Sequence, residues 1–295
     1  MKRILVIGAT GNVGREVISQ LLATNVRVRA MARNPESANL PAHVEVLGGD
    51  LTIPDTLHGP LDDVDAVFLV WVAPRSAAGP AIERIAKHVQ RIVFLSSPHR
   101  TAHPFFQQPG WRPGEPMANP FAALPVEIER LIEASRLHWT FLRPGMFAVN
   151  TRLWWAPKIR AGGVVRWPYA EAPTAPIHEL DIAAVAARVL SEEGHNGKDY
   201  VLTGPQSLSQ REQLGIIGDV IESPLRFEEI SPEEALCELS GIMPPPVVDM
   251  LLNAWAAAVG QPAFVTSTVA DITGRPARTF RDWVIDHAAE FRREN

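Results

Sequence analysis

Arg3-Ile4-Leu5-Val6-Ile7-Gly8-Ala9-Thr10-Gly11-Asn12-Val13-Gly14 is the stretch whose reading decides the fold. A short apolar run of strand character leads into three spaced glycines. Beyond them Val13, Val17 and Leu21 recur four apart, with Ile18 and Leu22 beside them, which gives a helix one apolar face. A strand, a glycine turn and a helix in that order form an anion cradle. The glycines let backbone come close to a pyrophosphate, and the opening turn of the helix offers unpaired N–H groups and a partial positive charge. Seven residues from the start of the chain, this context makes the motif far more specific than a lone glycine triplet. The reading is a dinucleotide site built from Gly8, Thr10, Gly11, Asn12, Val13 and Gly14.

Working outward, apolar runs alternate with helical patterns, as βαβ units and a parallel sheet require. Strands are predicted at residues 3–7, 26–31, 44–47, 66–70, 92–95 and 140–142, with helices at 126–136 and 181–190 and a late strand at 200–202. The fold class is α/β: a Rossmann-type doubly wound sheet over about 1–150, completed by about 178–204. A smaller, mainly helical annex is expected from 151–177 and 205–295. Between Pro98 and Pro125 seven prolines break every periodic pattern. That interval reads as a long loop, and its Phe105, Phe106, Trp111 and Phe121 favour a packed lid.

The end of the second strand selects the cofactor. A carboxylate there would bond a ribose 2′-hydroxyl, but the chain reads Met31-Ala32-Arg33-Asn34-Pro35, and a guanidinium pairs with a 2′-phosphate instead. NADP(H) is therefore expected, with Arg33 on the phosphate. Asp50 is placed to accept from the adenine amino group, and Leu51 and Val70 complete the cofactor set.

Composition excludes other classes. The 295 residues carry a net charge of -5 and no basic stripe, so no nucleic-acid partner is expected. The longest apolar stretch, 66–73, is too short to span a bilayer, and 1–7 leaves no room for a signal peptide. Cys237 is the sole cysteine, which excludes an intrachain disulfide or a Cys-rich metal site. A cytoplasmic protein is expected. His99 and His103 lie among prolines, not on a helix, so no zinc pair forms there, and no metal is expected. No Gly-x-Ser-x-Gly elbow supports a serine hydrolase.

The glycine turn, Ala32-Arg33-Asn34-Pro35, Gly49-Asp50-Leu51, Leu95-Ser96-Ser97, Leu142-Arg143-Pro144-Gly145-Met146-Phe147 and Ile177-His178-Glu179-Leu180-Asp181-Ile182-Ala183 follow one another in a specific order. In this order the chain resembles the NmrA-like branch of atypical short-chain dehydrogenases/reductases over nearly residues 1–205. The resemblance implies an extended NADP, Pro144, Gly145, Met146 and Phe147 near the nicotinamide, and an annex covering the substrate.

One departure is informative. The superfamily's ordinary members place Tyr four residues before Lys, as proton donor and its activator. Here the residues four beyond Tyr169 and Tyr200 are Pro173 and Gly204, and alignment on 142–145 puts Pro125 and Glu129 where Tyr and Lys would stand. Ser96, Ser97 and His99, at the carboxyl edge of the fifth strand, are the remaining catalytic candidates.

Three functions stay open. A ketone flanked by a phenolic hydroxyl stabilises its own alkoxide, so an NADPH-dependent ketoreductase of a bulky aromatic substrate needs only positioning. The chain is similar in this respect to aromatic polyketide (angucyclinone-type) ketoreductases that lack the Tyr/Lys pair. The alternatives are a non-enzymatic NADP-binding regulator and an oxygenase acting on a hydroquinone. Eight tryptophans against two tyrosines favour a flat aromatic ligand. The substrate candidates are Trp111, Phe121, Asn150, Trp154, Trp155 and Trp167.

Overall fold

The structure, a computed structural model, describes residues 1–99, 101, 106 and 120–292, with the backbone alone for 120–122. Seven parallel strands form the central sheet: β1 (Arg3–Ile7), β2 (Arg27–Ala32), β3 (Glu45–Gly48), β4 (Ala66–Val70), β5 (Arg91–Leu95), β6 (His138–Pro144) and, after two short strands of the annex, β9 (Lys198–Leu202). Their order is β3-β2-β1-β4-β5-β6-β9, which reverses direction between β1 and β4. In such sheets ligands bind outside the carboxyl ends at that reversal.

β1 shows why the sheet is buried on both faces. Ile4 and Val6 enter one core with Val13, Val17 and Leu21 of α1 (Asn12–Leu22) and Ile182, Val185 and Val189 of α6 (Glu179–Ser191). Leu5 and Ile7 enter the opposite core with Ile82 and Ile85 of α3 (Ala78–His88) and Ile128 and Ile132 of α4 (Pro120–Glu133). The two-residue period of a strand feeds both layers from one apolar run. The short α2 (His58–Leu61) precedes β4.

One boundary is corrected. The Pro98–Pro125 interval was expected to be loop throughout, yet α4 begins at Pro120. Proline suits a first helical position because its missing N–H has no partner to lose there, and Pro125 removes only one further donor. Phe121 thus falls on a helix, although its side chain lies outside the described residues. His103, Phe105 and Trp111 lie outside them altogether.

The annex gathers α5 (Asn150–Gly162), β7 (Val164–Trp167), β8 (Pro173–Thr174), β10 (Leu208–Ser209), α7 (Gln210–Ile221), β11 (Arg226–Glu229), α8 (Pro232–Leu239), α9 (Pro245–Ala258), α11 (Phe280–Asp286) and α12 (Ala288–Phe291), whereas α10 (Thr268–Thr273), expected with them, packs on α6 and β9 with Val269 in the sheet core. β7 pairs with β11 in parallel, and β8 with β10 in antiparallel fashion. Most of these elements share a core rich in tryptophan.

Chain crossings join annex to sheet, and backbone bonds knit three of them together. Gly145 N–H donates to Leu202 O (2.9 Å), Ile177 N–H to Met146 O (2.8 Å), Ala148 N–H to Ile177 O (2.9 Å) and Gly204 N–H to Ala175 O (3.1 Å). A Cβ on Gly204 would overlap the Pro176 carbonyl, so the crossings touch only because that position is glycine.

Candidate active site

At the end of β1, Gly8 takes φ +81°, and a Cβ there would lie 2.7 Å from Val70 Cβ. A Cβ on Gly14 would overlap the Gly8 carbonyl oxygen, so helix α1 can sit this close to the strand only with glycine at that position. Gly11 differs: its added Cβ would meet only Gly8 O at 3.5 Å, an ordinary contact. The first helical bond runs from Arg15 N–H to Gly11 O (3.0 Å). Gly11 supplies no side-chain cap and the first turn holds no acidic residue, so the N–H groups of Asn12, Val13 and Gly14 open outward. The cradle fits a pyrophosphate.

Sequence reading missed the brace behind this turn. Arg15 Nε donates to Thr10 O (3.1 Å), while its guanidinium reaches Asn39 O and Ala38 O (both 2.8 Å). One side chain therefore ties the glycine turn to the loop after β2. Arg33 follows the last residue of β2 and is exposed. Asp50 Oδ1 accepts from Thr52 N–H (2.8 Å) and Thr52 Oγ1 (2.7 Å). Those two bonds, with a smaller contribution from Arg33, hold its carboxyl below the ordinary value. Leu51 is buried beneath it.

The carboxyl edge beyond β5 and β6 holds a buried polar cluster. Ser96 Oγ donates to Glu129 Oε1 at 2.6 Å. Arg143 binds the same carboxylate with two prongs, Nε to Oε1 at 3.0 Å and Nη2 to Oε2 at 2.9 Å. Its Nη1 pairs with Asp199 on β9. His99 Nε2 faces Glu129 Oε2 across 3.2 Å, within ion-pair reach though not aligned as a hydrogen bond. His99 Nδ1 lies 3.1 Å from Ser97 O and 3.3 Å from Ser97 Oγ. Glu129 is 0% exposed and Arg143 1%. Burial works to raise the Glu129 pKa, but the facing His99 ring and the bonds from Arg143 and Ser96 outweigh it and hold the group below the ordinary carboxylate value. The sequence marked Glu129 only as the residue where a lysine was expected. Nothing in it announced Arg143 or Asp199 as partners, because these come from different strands.

Pro144 ends β6 and is buried; Gly145 and Met146 follow it into a recess, while Phe147 packs against the sheet core. Asn150 opens α5 and donates from Nδ2 to Met146 Sδ at 3.3 Å. A small recess here has Gly145 at its floor and Phe106, Met146, Thr174, Thr203 and Phe264 on its walls. Phe106 meets Phe264 edge to face, with ring centroids 6.5 Å apart. The three described tryptophan candidates are elsewhere. Trp154, Trp155 and Trp167 are 6%, 1% and 0% exposed and pack on one another and on Trp255 within the annex core. This corrects their expected place against substrate: large apolar rings gain more from joining the annex interior than from lining an open wall.

Among the described residues no group of three His, Cys, Asp or Glu side chains is disposed to hold a metal, and no helix is long and apolar enough to cross a membrane.

Comparison with known proteins places this geometry. The NAD(P)H-binding family matches residues 8–193. The (4-alkanoyl-5-oxo-2,5-dihydrofuran-3-yl)methyl phosphate reductase of Streptomyces griseus is 38% identical, over 98% of this chain and 99% of that protein. The NAD(P)H azoreductase of Xenophilus azovorans is 33% identical over 98% and 99%. The crystal structure of an NADPH-dependent quinone oxidoreductase from Escherichia coli superposes with a TM-score of 0.78 at 25% identity, covering 96% of this chain and 98% of that one. The nicotinamide cofactor of this chain, NADP(H), is accordingly that of a known family. The chain belongs to the NAD(P)H-binding family, as an NAD(P)H-dependent oxidoreductase.

Proposed function

We propose that the protein is an NADPH-dependent reductase of a bulky, flat, conjugated carbonyl compound, namely an aromatic ketone or quinone with a hydroxyl beside the reacting carbonyl. The observation that carries this reading is the cradle at Gly8–Gly14, uncapped and free of acidic residues, with the exposed guanidinium of Arg33 at the end of β2. Amides of Asn12, Val13 and Gly14 hold the pyrophosphate, and Arg33 holds the 2′-phosphate. Asp50, Leu51 and Val70 flank the adenine side, and Pro144–Phe147 flank the nicotinamide. When bound, the reduced cofactor supplies a hydride.

The relatives' names point the same way. They name reductases of a furanone phosphate, an azo group and a quinone, each a conjugated electrophile to which a hydride can add. Beside Gly145 and Met146, Phe106 and Phe264 offer aromatic surface on which such a ligand would stack. With no tyrosine four residues before a lysine, a hydroxyl on the substrate hydrogen-bonds the oxygen that gains charge.

The test is to mix purified protein and NADPH with a panel of hydroxylated anthraquinone-type ketones. Absorbance of the reduced nicotinamide should fall, and the product should gain two hydrogens. A product that gains one oxygen, or bound NADPH that no panel member consumes, overturns the proposal.

A further inference from the structure

A buried carboxylate with four donors around it is an expensive thing to place beside a sheet edge, and its arrangement here has a chemical consequence. Glu129 accepts from Ser96 Oγ and twice from Arg143, and His99 Nε2 stands 3.2 Å from its remaining face. The carboxylate only accepts, as does the Ser97 carbonyl beside Nδ1, and the full negative charge on Glu129 tips the ring toward a proton on the nitrogen that faces it, Nε2. Exchange is then confined to Nδ1, and Nδ1 faces the hydroxyl and the carbonyl of Ser97, at 3.3 Å and 3.1 Å. As a cation, His99 donates from Nδ1 to Ser97; as the neutral ring, it accepts from the Ser97 hydroxyl. A histidine that only filled space would not need a charged, immobilised partner on one nitrogen and a hydroxyl on the other. Ser97 is half-buried just past β5, on the edge that carries the glycine turn and Gly145.

We infer that Ser97 and His99 form a proton relay to the substrate and that Glu129, clamped by Arg143, is the positioning residue that fixes the His99 tautomer. The inference rests on the reductase reading above. Hydride addition to a carbonyl carbon, balanced by oxidation of NADPH to NADP, leaves an electron pair on the carbonyl oxygen. That oxygen takes the Ser97 Oγ proton as the Ser97 O–H bond breaks. The Nδ1–H bond of His99 breaks to restore the serine hydroxyl. Neutral His99 then regains a proton from water. The relay replaces the absent Tyr/Lys pair with groups from the neighbouring loop and helix, and it makes substrates without an internal hydroxyl reducible.

The experiment pairs two anthraquinone-type acceptors, one with a hydroxyl beside the carbonyl and one without. His99→Asn and Ser97→Ala should each lower kcat on the hydroxyl-free acceptor by about 100-fold or more, the scale of lost general-acid catalysis. The loss on the hydroxylated acceptor should be at least tenfold smaller, with KM and NADPH affinity unchanged for both. Equal losses on the two acceptors, or none on either, overturn the relay. A wild-type protein that consumes NADPH with neither acceptor overturns the reductase reading itself. A second measurement needs no turnover. The 15N spectrum of neutral His99, identified by its absence in His99→Asn, should show the proton on Nε2 in the wild type and a mixture of tautomers in Glu129→Gln. A wild-type proton on Nδ1 overturns the assignment of Glu129.

Discussion

His287 Nε2 stands 3.0 Å from Glu179 Oε1, so a ring near the carboxyl end of the chain is locked onto the first residue of a sheet-flanking helix. Its other nitrogen lies 2.8 Å from the Trp283 carbonyl, and the ring stacks on Trp283 at 4.4 Å. Both nitrogens face acceptors, a setting that favours the cation. Burial opposes that charge, but the bonds to Glu179 and Trp283 and the nearby Glu290 raise the His287 pKa above the ordinary 6.5. On Glu179 burial is likewise opposed, by bonds from His178 and His287, and its pKa ends far below the ordinary carboxylate value.

The signs set a pH window. A raised histidine pKa contributes stability fully below its unfolded value and loses it as pH rises through the folded value; a depressed carboxylate pKa contributes above its unfolded value and loses it in acid. The urea midpoint should therefore be higher at pH 6 than at pH 8.5. His287→Ala should cost about 1.5–3 kcal/mol at pH 6, the range for a hydrogen bond to a charged group, and should remove most of the difference between the two pH values. Denaturation curves of both proteins at the two pH values check this.

The glycines of the turn should separate folding from binding. Gly14→Ala places a methyl on the Gly8 carbonyl and should lower both the melting temperature and NADPH affinity. Gly11→Ala meets only an ordinary contact, so the melting temperature should hold while the methyl blocks the approaching pyrophosphate. Thermal melts beside fluorescence titrations with NADPH decide it.

Arg33→Asp should reverse the cofactor preference. Loss of a charge-assisted bond to the 2′-phosphate, worth about 1.5–3 kcal/mol, corresponds to roughly a 10- to 100-fold fall in NADPH affinity, and NADH binding should strengthen. Dissociation constants for the two cofactors test it, and an unchanged NADPH constant removes Arg33 from the site.

The Glu129–Arg143 pair should behave as a unit. Glu129→Leu leaves a buried guanidinium with only half-exposed Asp199 and should cost about 3–5 kcal/mol. Adding Arg143→Met removes the stranded charge and should recover much of that loss. Urea denaturation of the single and double variants measures the coupling.

The sheet was legible because its strands are apolar runs buried on both faces. β1 and β4 fall where the pattern puts them, and β2 and β3 are displaced by one residue toward the chain end. α4 was cut short because proline was read as a stop, and Pro120 is a start. β7 and β11 left no signal: four residues each, they pair across the annex through contacts that local pattern does not encode. The cradle was fully visible, since glycine spacing is itself the mechanism. The tryptophans were visible as a count but not as a direction, and three of them turned inward. Glu129 was noticed for what it replaces. Its partner Arg143 on β6, and Asp199 on β9, which pairs with that arginine, belong to strands that only the folded sheet brings side by side.

The crossings at Gly145, Ile177 and Gly204 have a mechanical meaning. A pivot needs a joint that bends cheaply, with few bonds across it. Here the passages between the two halves are welded to one another, and rotating either half would sacrifice several of those bonds at once. Such a joint resists bending, because a change of angle there must first break bonds between neighbouring crossings.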